Sequence, residues 1–321
     1  MKISNLSRSA LGICASVAVL AGCNSGGSNA VPQLNGTTLL PTSNLISASA
    51  KARLYVSGGR AIRVYKLPIT AKSAPVAYLK TGRGEPTGMD FDPTHRLFVA
   101  NLSNSIQVFI QPIKDGAVPS FTLATSTNSY NVTLDSTGNA VVAEDKPFCR
   151  FCLFGAIEVF TAPISKSSTV SYSLNGGYST ITAGFNRNGN LWKEIAPYCG
   201  TFSHNTMYEY SVPLHHKYLH KRFDVECQDV PQTGLAFDSA GNMYLPTDGG
   251  LQVRQAGSWR EMFTIKAFVR QGYLAFDTSG NLYVTTDDRR LLKFSPPFSG
   301  SSRPVVTLDL PHSPAGVAIG P

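Results

Sequence analysis

The chain has 321 residues, 42% hydrophobic and 15% charged, with a formal net charge of +8. This is enough apolar material for a sizeable core, which excludes a disordered chain. It carries too few charges for a coiled coil or a solvent-laced helical protein, since soluble domains average about 25%. The 28 glycines and 20 prolines suit many turns between short strands.

The first segment reads as an address. Lys2 and Arg8 precede an apolar run from Ala10 to Leu20. That run is shorter than the roughly 20 residues a membrane-spanning helix needs and fits a signal-peptide core. Leu20-Ala21-Gly22-Cys23 follows directly and resembles a bacterial lipobox, whose Cys takes a diacylglyceryl group. Residues 1–22 are therefore expected to be a lipoprotein signal peptide. Cys23 is expected to carry the lipid, and two or more acyl chains give stable anchoring. The alternative is an ordinary secretory signal in which Cys23 is incidental. Cleavage would remove Lys2 and Arg8 and leave a charge of +6. The expected location is a membrane surface facing the periplasm or the cell exterior. Asn24, in place of the Asp that retains lipoproteins at the inner membrane, favours the outer membrane in a Gram-negative cell. Residues 23–50, rich in Ser, Asn, Gly and Thr, read as a flexible tether with a reach on the order of 30 Å.

Residues 51–321 repeat one pattern. Gly88-Met-Asp-Phe-Asp92 leads to Arg96-Leu-Phe-Val99 and Ser105-Ile-Gln-Val-Phe109. Gly234-Leu-Ala-Phe-Asp238 leads to Gly241-Asn-Met-Tyr-Leu245 and Gly250-Leu-Gln-Val253. Parallel units are anchored at Asp135, Asn186 and Asp277, and the five anchors are 43, 51, 52 and 39 residues apart. Each unit reads as strand, tight turn, strand, loop, strand, then a weaker fourth strand such as Val305-Val-Thr-Leu308. The Gly-Asn before the second strand is a hairpin signal, because both residues tolerate positive φ. Arg53-Leu-Tyr-Val56 and Ile62-Arg-Val-Tyr65 lack a first strand, and Ala315-Gly-Val-Ala-Ile319 is a first strand with nothing after it. Joined, they make a sixth unit. The expected fold is all-β: a six-bladed β-propeller with four antiparallel strands per blade, one blade shared between the two ends of the repeat.

On these Phe/Leu-Asp/Asn…Gly-Asn…Tyr-Val units the chain resembles the six-bladed propellers of the NHL-repeat and senescence-marker/gluconolactonase group. The motif fixes an architecture that hosts unrelated activities. The resemblance implies a divalent metal held by Glu, Asn and Asp just before the Gly-Leu-Ala-Phe-Asp stretch. The matching positions here are Thr87, Tyr130, Ile181, Thr233, Gly272 and Ala315. None is Asn or Asp, and Glu85 is separated from Gly88 by Pro86 and Thr87. The expected cage is absent.

After the second strands the chain places Asn101, Glu144 with Asp145, Glu194, Asp248, and Asp287 with Asp288. If these share one level, Glu144, Glu194, Asp248 and Asp287 converge as oxygen ligands for a hard cation such as calcium. Asn101, Asp145 and Asp288 then belong to ligand-binding loops. The competing reading is that each polar side chain hydrogen-bonds its own loop. No nucleophile elbow, zincin or P-loop signature is present. His215, His216 and His220 lie among three basic residues, Lys217, Lys221 and Arg222; they suit zinc or copper, an anionic surface, or simply a solvated hairpin tip. Cys149, Cys152, Cys199 and Cys227 form an even set in an exported chain, and disulfides Cys149–Cys152 and Cys199–Cys227 are expected among three possible connectivities. A redox pair and a four-Cys zinc site are the alternatives. The stapled loops at Lys146-Pro-Phe-Cys149 and Pro197-Tyr-Cys-Gly200 would be binding elements.

These features point to a lipid-anchored envelope propeller that binds a protein or glycan, without a cofactor and without nucleic acid. The alternative is a gluconolactonase-like hydrolase or lyase with a rearranged metal site.

Overall fold

The computed structural model describes residues 52–82, 84–149, 152–178, 180–195, 204–214, 219–226, 234–247, 249–266 and 272–321. The chain divides into two units, Met1–Leu39 and Leu40–Pro321, and every described residue belongs to the second. The expected signal peptide, Cys23 and the whole of the expected tether lie outside the described residues. Among the described residues no helix is long and apolar enough to cross a membrane.

The described chain forms six four-stranded antiparallel sheets, one per blade. Blade one contains β1 (Arg53–Gly58), β2 (Ala61–Lys66) and β3 (Ala77–Lys80). Blade two contains β4 (Pro86–Phe91), β5 (Leu97–Asn101), β6 (Ser105–Phe109) and β7 (Phe121–Ala124). Blade three contains β8 (Asn128–Leu134), β9 (Ala140–Cys149), β10 (Cys152–Phe160) and β11 (Tyr172–Tyr178). Blade four contains β12 (Thr180–Phe185), β13 (Leu191–Ile195), β14 (His204–Tyr210) and β15 (Leu219–Glu226). Blade five contains β16 (Ala236–Phe237), β17 (Met243–Thr247), β18 (Gly250–Arg254) and β19 (Glu261–Ile265). Blade six contains β20 (Leu274–Phe276), β21 (Leu282–Thr286), β22 (Arg290–Phe294) and β23 (Val306–Asp309). The last strand, β24 (Pro314–Gly320), pairs with β1 from Arg53↔Gly320 to Gly58↔Pro314 and supplies the missing inner strand of blade one. The expected closure is therefore present.

Burial explains the sequence pattern. A middle strand is packed against neighbouring blades on both faces, so β5 and β6 are buried at every position. Outer strands have one wet face, and β3 alternates buried and exposed. The core is a set of inter-blade clusters. Leu97 and Val99 pack with Tyr55, Ile62 and Val64 of blade one, whereas Phe98 and Ala100 pack with Val132, Ala140 and Val142 of blade three.

Each of the five Asp/Asn anchors builds the same turn. In blade six, Asp277 Oδ1 accepts from the amides of Ser279 (2.9 Å) and Asn281 (2.8 Å), and Oδ2 accepts from Asn281 Nδ2 (2.8 Å). The glycine between them, Gly280, has φ 76°, which a side chain would strain. The Asn then reaches outward: Oδ1 of Asn139 and Asn242 accepts from the amides of Ala162 and Ala256 at the exits of the third strands. In blade two His95 takes the positive-φ position, and Arg96 replaces the Asn, bonding Asp92 Oδ2 and Ile164 O.

Two expectations need correction. The segment after the second strand of blade three is no loop: β9 runs on to Cys149 and β10 begins at Cys152, with these two residues directly opposite. The expected disulfides are not found among the described residues. Cys199 and Cys227 lie outside them, and only the backbones of Cys149 and Cys152 lie within. Backbone pairing runs the length of this hairpin, from Phe160↔Ala140 to Cys152↔Cys149.

Candidate functional site

The inner strands surround a central axis. A cavity of about 50 Å³ there is lined by residues including Asp90, Asn131, Leu235, Tyr273 and Val317. The Tyr273 hydroxyl donates across it from blade six to Tyr130 O of blade three (3.2 Å). Neighbouring inner strands are stitched together: Ser57 Oγ donates to Thr87 O (2.8 Å), and Thr87 Oγ1 to Ser129 O (3.0 Å). Asp90 joins β4 to β8, its carboxylate accepting from the amides of Phe91 (2.8 Å) and Leu134 (3.0 Å). Burial pushes this carboxyl up to about 6. Thr87, a position where the resemblance calls for a metal ligand, is thus a strand tie.

The acidic residues after the second strands do not form a ring. Their strands start in register at Leu97, Ala140, Leu191, Met243 and Leu282, each opposite the last residue of the third strand. Asn101 and Glu144 lie four residues beyond that start, Glu194 three, and Asp248 and Asp287 five. Successive strand residues face opposite sides, so a shift of one moves a side chain to another blade interface. Glu194 follows Trp192 toward blade five, whereas Glu144 follows Val142 toward blade two. Among the described residues no three His, Cys, Asp or Glu side chains come together as a metal site. Asn101 caps its own loop, Oδ1 accepting from Ser103 N (3.0 Å) and Oγ (2.8 Å). Asp288 pairs with Arg290 and accepts from Thr286 Oγ1 (2.5 Å). Asp248 lies outside the described residues, as does the side chain of Asp145. His215 and His216 are also outside, and His220 is exposed on β15.

Two buried groups escaped the sequence reading. Glu158 on β10 is 1% exposed and faces Glu144, which is 0% exposed. Burial, and then the neighbouring Glu158 carboxylate, push the Glu144 carboxyl up to about 8. Lys193 on β13 occupies the register position of Val56, Val99, Val142, Leu245 and Val284. Its Nζ lies 5.1 Å from the centre of the Tyr210 ring and bonds Tyr210 Oη at 3.3 Å. Desolvation lowers it to about 7.

A cleft of about 410 Å³ opens between blades five and six. It lies at the anchor-turn end of the strands, opposite the loops expected to bind. Tyr244, Phe276 and Phe298 form its aromatic wall, meeting edge to face with centroids 5.0–6.2 Å apart. Met262 stands at its edge, 50% exposed. Ser239, Thr278 and Ser279 add hydroxyls to its lining. The carboxylates of Asp238 and Asp277 also line it. Both accept from their own turn amides, and each takes a tyrosine hydroxyl, from Tyr244 (3.3 Å) and Tyr283 (3.2 Å). The only sequence signal for this cleft was the Pro296-Pro297-Phe298 stretch beyond the third strand, in a loop assigned no role. No family model matches the chain and no curated protein matches it as a relative; what the repeats and the structure share is the six-bladed architecture.

Proposed function

We propose that this chain is a lipid-anchored, extracytoplasmic binding module that takes a glycan of the cell envelope into the cleft between blades five and six. The cleft carries the reading. Its volume of about 410 Å³ suits a small ligand or the end of a larger one, since such pockets span roughly 300–1,000 Å³. The half-buried Phe298 ring and the exposed Met262, beside hydroxyl groups, match a sugar, which offers apolar C–H faces and a polar rim, while Tyr244 and Phe276, each 2% exposed, back the wall from the core. The nearby carboxylates are engaged in turn hydrogen bonds and serve as walls. The anchor is supported by the apolar run ending at Leu20-Ala21-Gly22-Cys23 and by the polar stretch after it.

Two measurements test this. Full-length chain expressed in a bacterium supplied with labelled palmitate should incorporate label, and Cys23→Ala should not. Unlabelled wild type would overturn the anchor. Binding of the folded chain to envelope polysaccharide fragments should be lost in Phe298→Ala and Met262→Asp while stability is retained. Equal binding by both variants, or binding only to an envelope protein, would overturn the glycan reading.

A further inference from the structure

Blade three holds two carboxylates at a level where blade two does the same structural work without charge. Glu144 stands opposite Ala156 and Glu158 opposite Val142. They are diagonal neighbours on one face of the hairpin, within reach of each other. In blade two the matching rungs are Asn101 opposite Ser105 and Gln107 opposite Val99. Those amides are also buried, and Gln107 Nε2 donates to Thr81 O (2.5 Å). The fold therefore needs polar atoms here but no charge.

The two carboxylates lack what buried charges require. The ion pairs among the described residues belong to Asp92, Glu209 and Asp288, and neither Glu144 nor Glu158 has one. Glu158 accepts from the Ser126 amide (3.2 Å) and hydroxyl. Glu144 Oε2 accepts from Thr127 Oγ1 (3.1 Å), whereas the buried Oε1 has no donor. Two buried like charges in contact are costly unless something positive lies between them. Besides the Ser126 amide, the side chains of the segment from Thr125 to Ser129 that bond here offer hydroxyl oxygens. The hydroxyls of Thr125 and Ser129 lie 2.8 Å apart, and Thr127 O accepts from Thr125 Oγ1 (2.9 Å). Ser126 is exposed, so the segment joining β7 to β8 is the layer between the buried pair and solvent.

We propose that Glu144 and Glu158, with the hydroxyls of the Thr125–Ser129 segment, form a site for a hard divalent cation of the calcium type. One such ion neutralises both carboxylates. Calcium accepts oxygen ligands in irregular geometry, including neutral ones, which a set of two carboxylates and several hydroxyls supplies. The ion would fasten the link between blades two and three. The inference is independent of the glycan cleft, which lies at the other end of the strands.

The test uses the full chain, stripped with chelator at pH 7.5 and titrated with calcium chloride by calorimetry and thermal unfolding. Magnesium and sodium chloride serve as comparators. The expected result is one calcium per chain and a Tm that rises with calcium. Glu144→Gln and Glu158→Gln, which approach the neutral pair of blade two, should abolish both effects yet remain folded without calcium. A wild-type Tm that does not move from micromolar to millimolar calcium overturns the site and leaves a carboxyl pair sharing a proton. Calcium binding that survives both substitutions places the ion elsewhere and equally overturns it.

Discussion

Replacing Asp277 by Ala should cost about 2–4 kcal/mol of stability. The carboxylate accepts from two backbone amides, at 2.9 and 2.8 Å, from Asn281 Nδ2 at 2.8 Å and from the Tyr283 hydroxyl at 3.2 Å. Hydrogen bonds to a charged group contribute roughly 1.5–3 kcal/mol each. Asp277 is only half-buried, so water replaces part of the loss, and the sum is well below four full bonds. Asp277→Asn separates the two oxygens. It keeps the Oδ1 acceptor for the amides and loses the anionic acceptor for Asn281 and Tyr283, so it should cost about half as much. Blade four already shows this exchange: its anchor is Asn186, and Glu209 Oε1 accepts from Asn190 Nδ2 (2.6 Å) in place of the missing carboxylate. Glu209→Gln should therefore weaken the chain to a degree similar to Asp277→Asn. Urea unfolding of wild type and the three variants measures this, with the denaturant slope as a check that the end states are unchanged. Asp277→Ala within about 0.5 kcal/mol of wild type, the range of an uninvolved surface change, would show that water fully replaces the turn's acceptor. The anchors would then not be what fixes the inner hairpins.

Asp90 gives a pH signature. Its carboxyl is pushed from 3.8 up to about 6, so the native state holds the proton more tightly than the unfolded chain. Its contribution is full below about pH 4 and is lost as pH rises through 6. Asp90→Asn loses one of the two amide bonds at every pH, but its stability relative to wild type should rise by up to about 3 kcal/mol between pH 4 and a pH above 6, at 1.36 kcal/mol per unit; a difference independent of pH would refute this. Gly316→Ala should destabilise by several kcal/mol, because a Cβ there overlaps Thr87 O where β24 packs on β4. Limited proteolysis should then release the C-terminal strand first, and an unchanged cleavage pattern would count against the seam as the weak point.

The architecture was legible because one device recurs. Asp or Asn, then Gly-Asn, then a hydrophobic strand is a turn with a physical reason, and five copies at propeller spacing leave few alternatives. The candidate sites were less legible for a reason equally physical. Glu144 and Glu194 look equivalent when read as the acid after the second strand, but one residue of register sends them to opposite interfaces. That register is set by pairing partners such as Leu191↔Tyr210, which spacing along the chain does not reveal. Glu158 is hidden inside Ala156-Ile-Glu-Val-Phe160, a stretch whose apolar residues mark it only as the third strand of its unit. The signal was its alignment with Gln107 in Ser105-Ile-Gln-Val-Phe109, a polar residue among buried ones. Pro147 and the two Cys suggested a loop where β9 and β10 in fact continue. The cleft joins Met262 of one blade to Phe298 of the next, and the Pro296-Pro297-Phe298 stretch marks only one of its two sides.

The seam between β24 and β1 also governs how this molecule can come into being. Arg53 and Gly320 are partners although nearly the whole propeller lies between them in sequence. Closing so long a loop carries a large entropic cost before any rung of that ladder returns it, and folds dominated by such distant pairings form slowly. Individual blades can assemble from local hairpins as the chain emerges, but the circle stays open until its final strand arrives. Until then β1 presents an unpaired edge to any neighbouring chain, so the interval before sealing is when this protein is most exposed to misassembly.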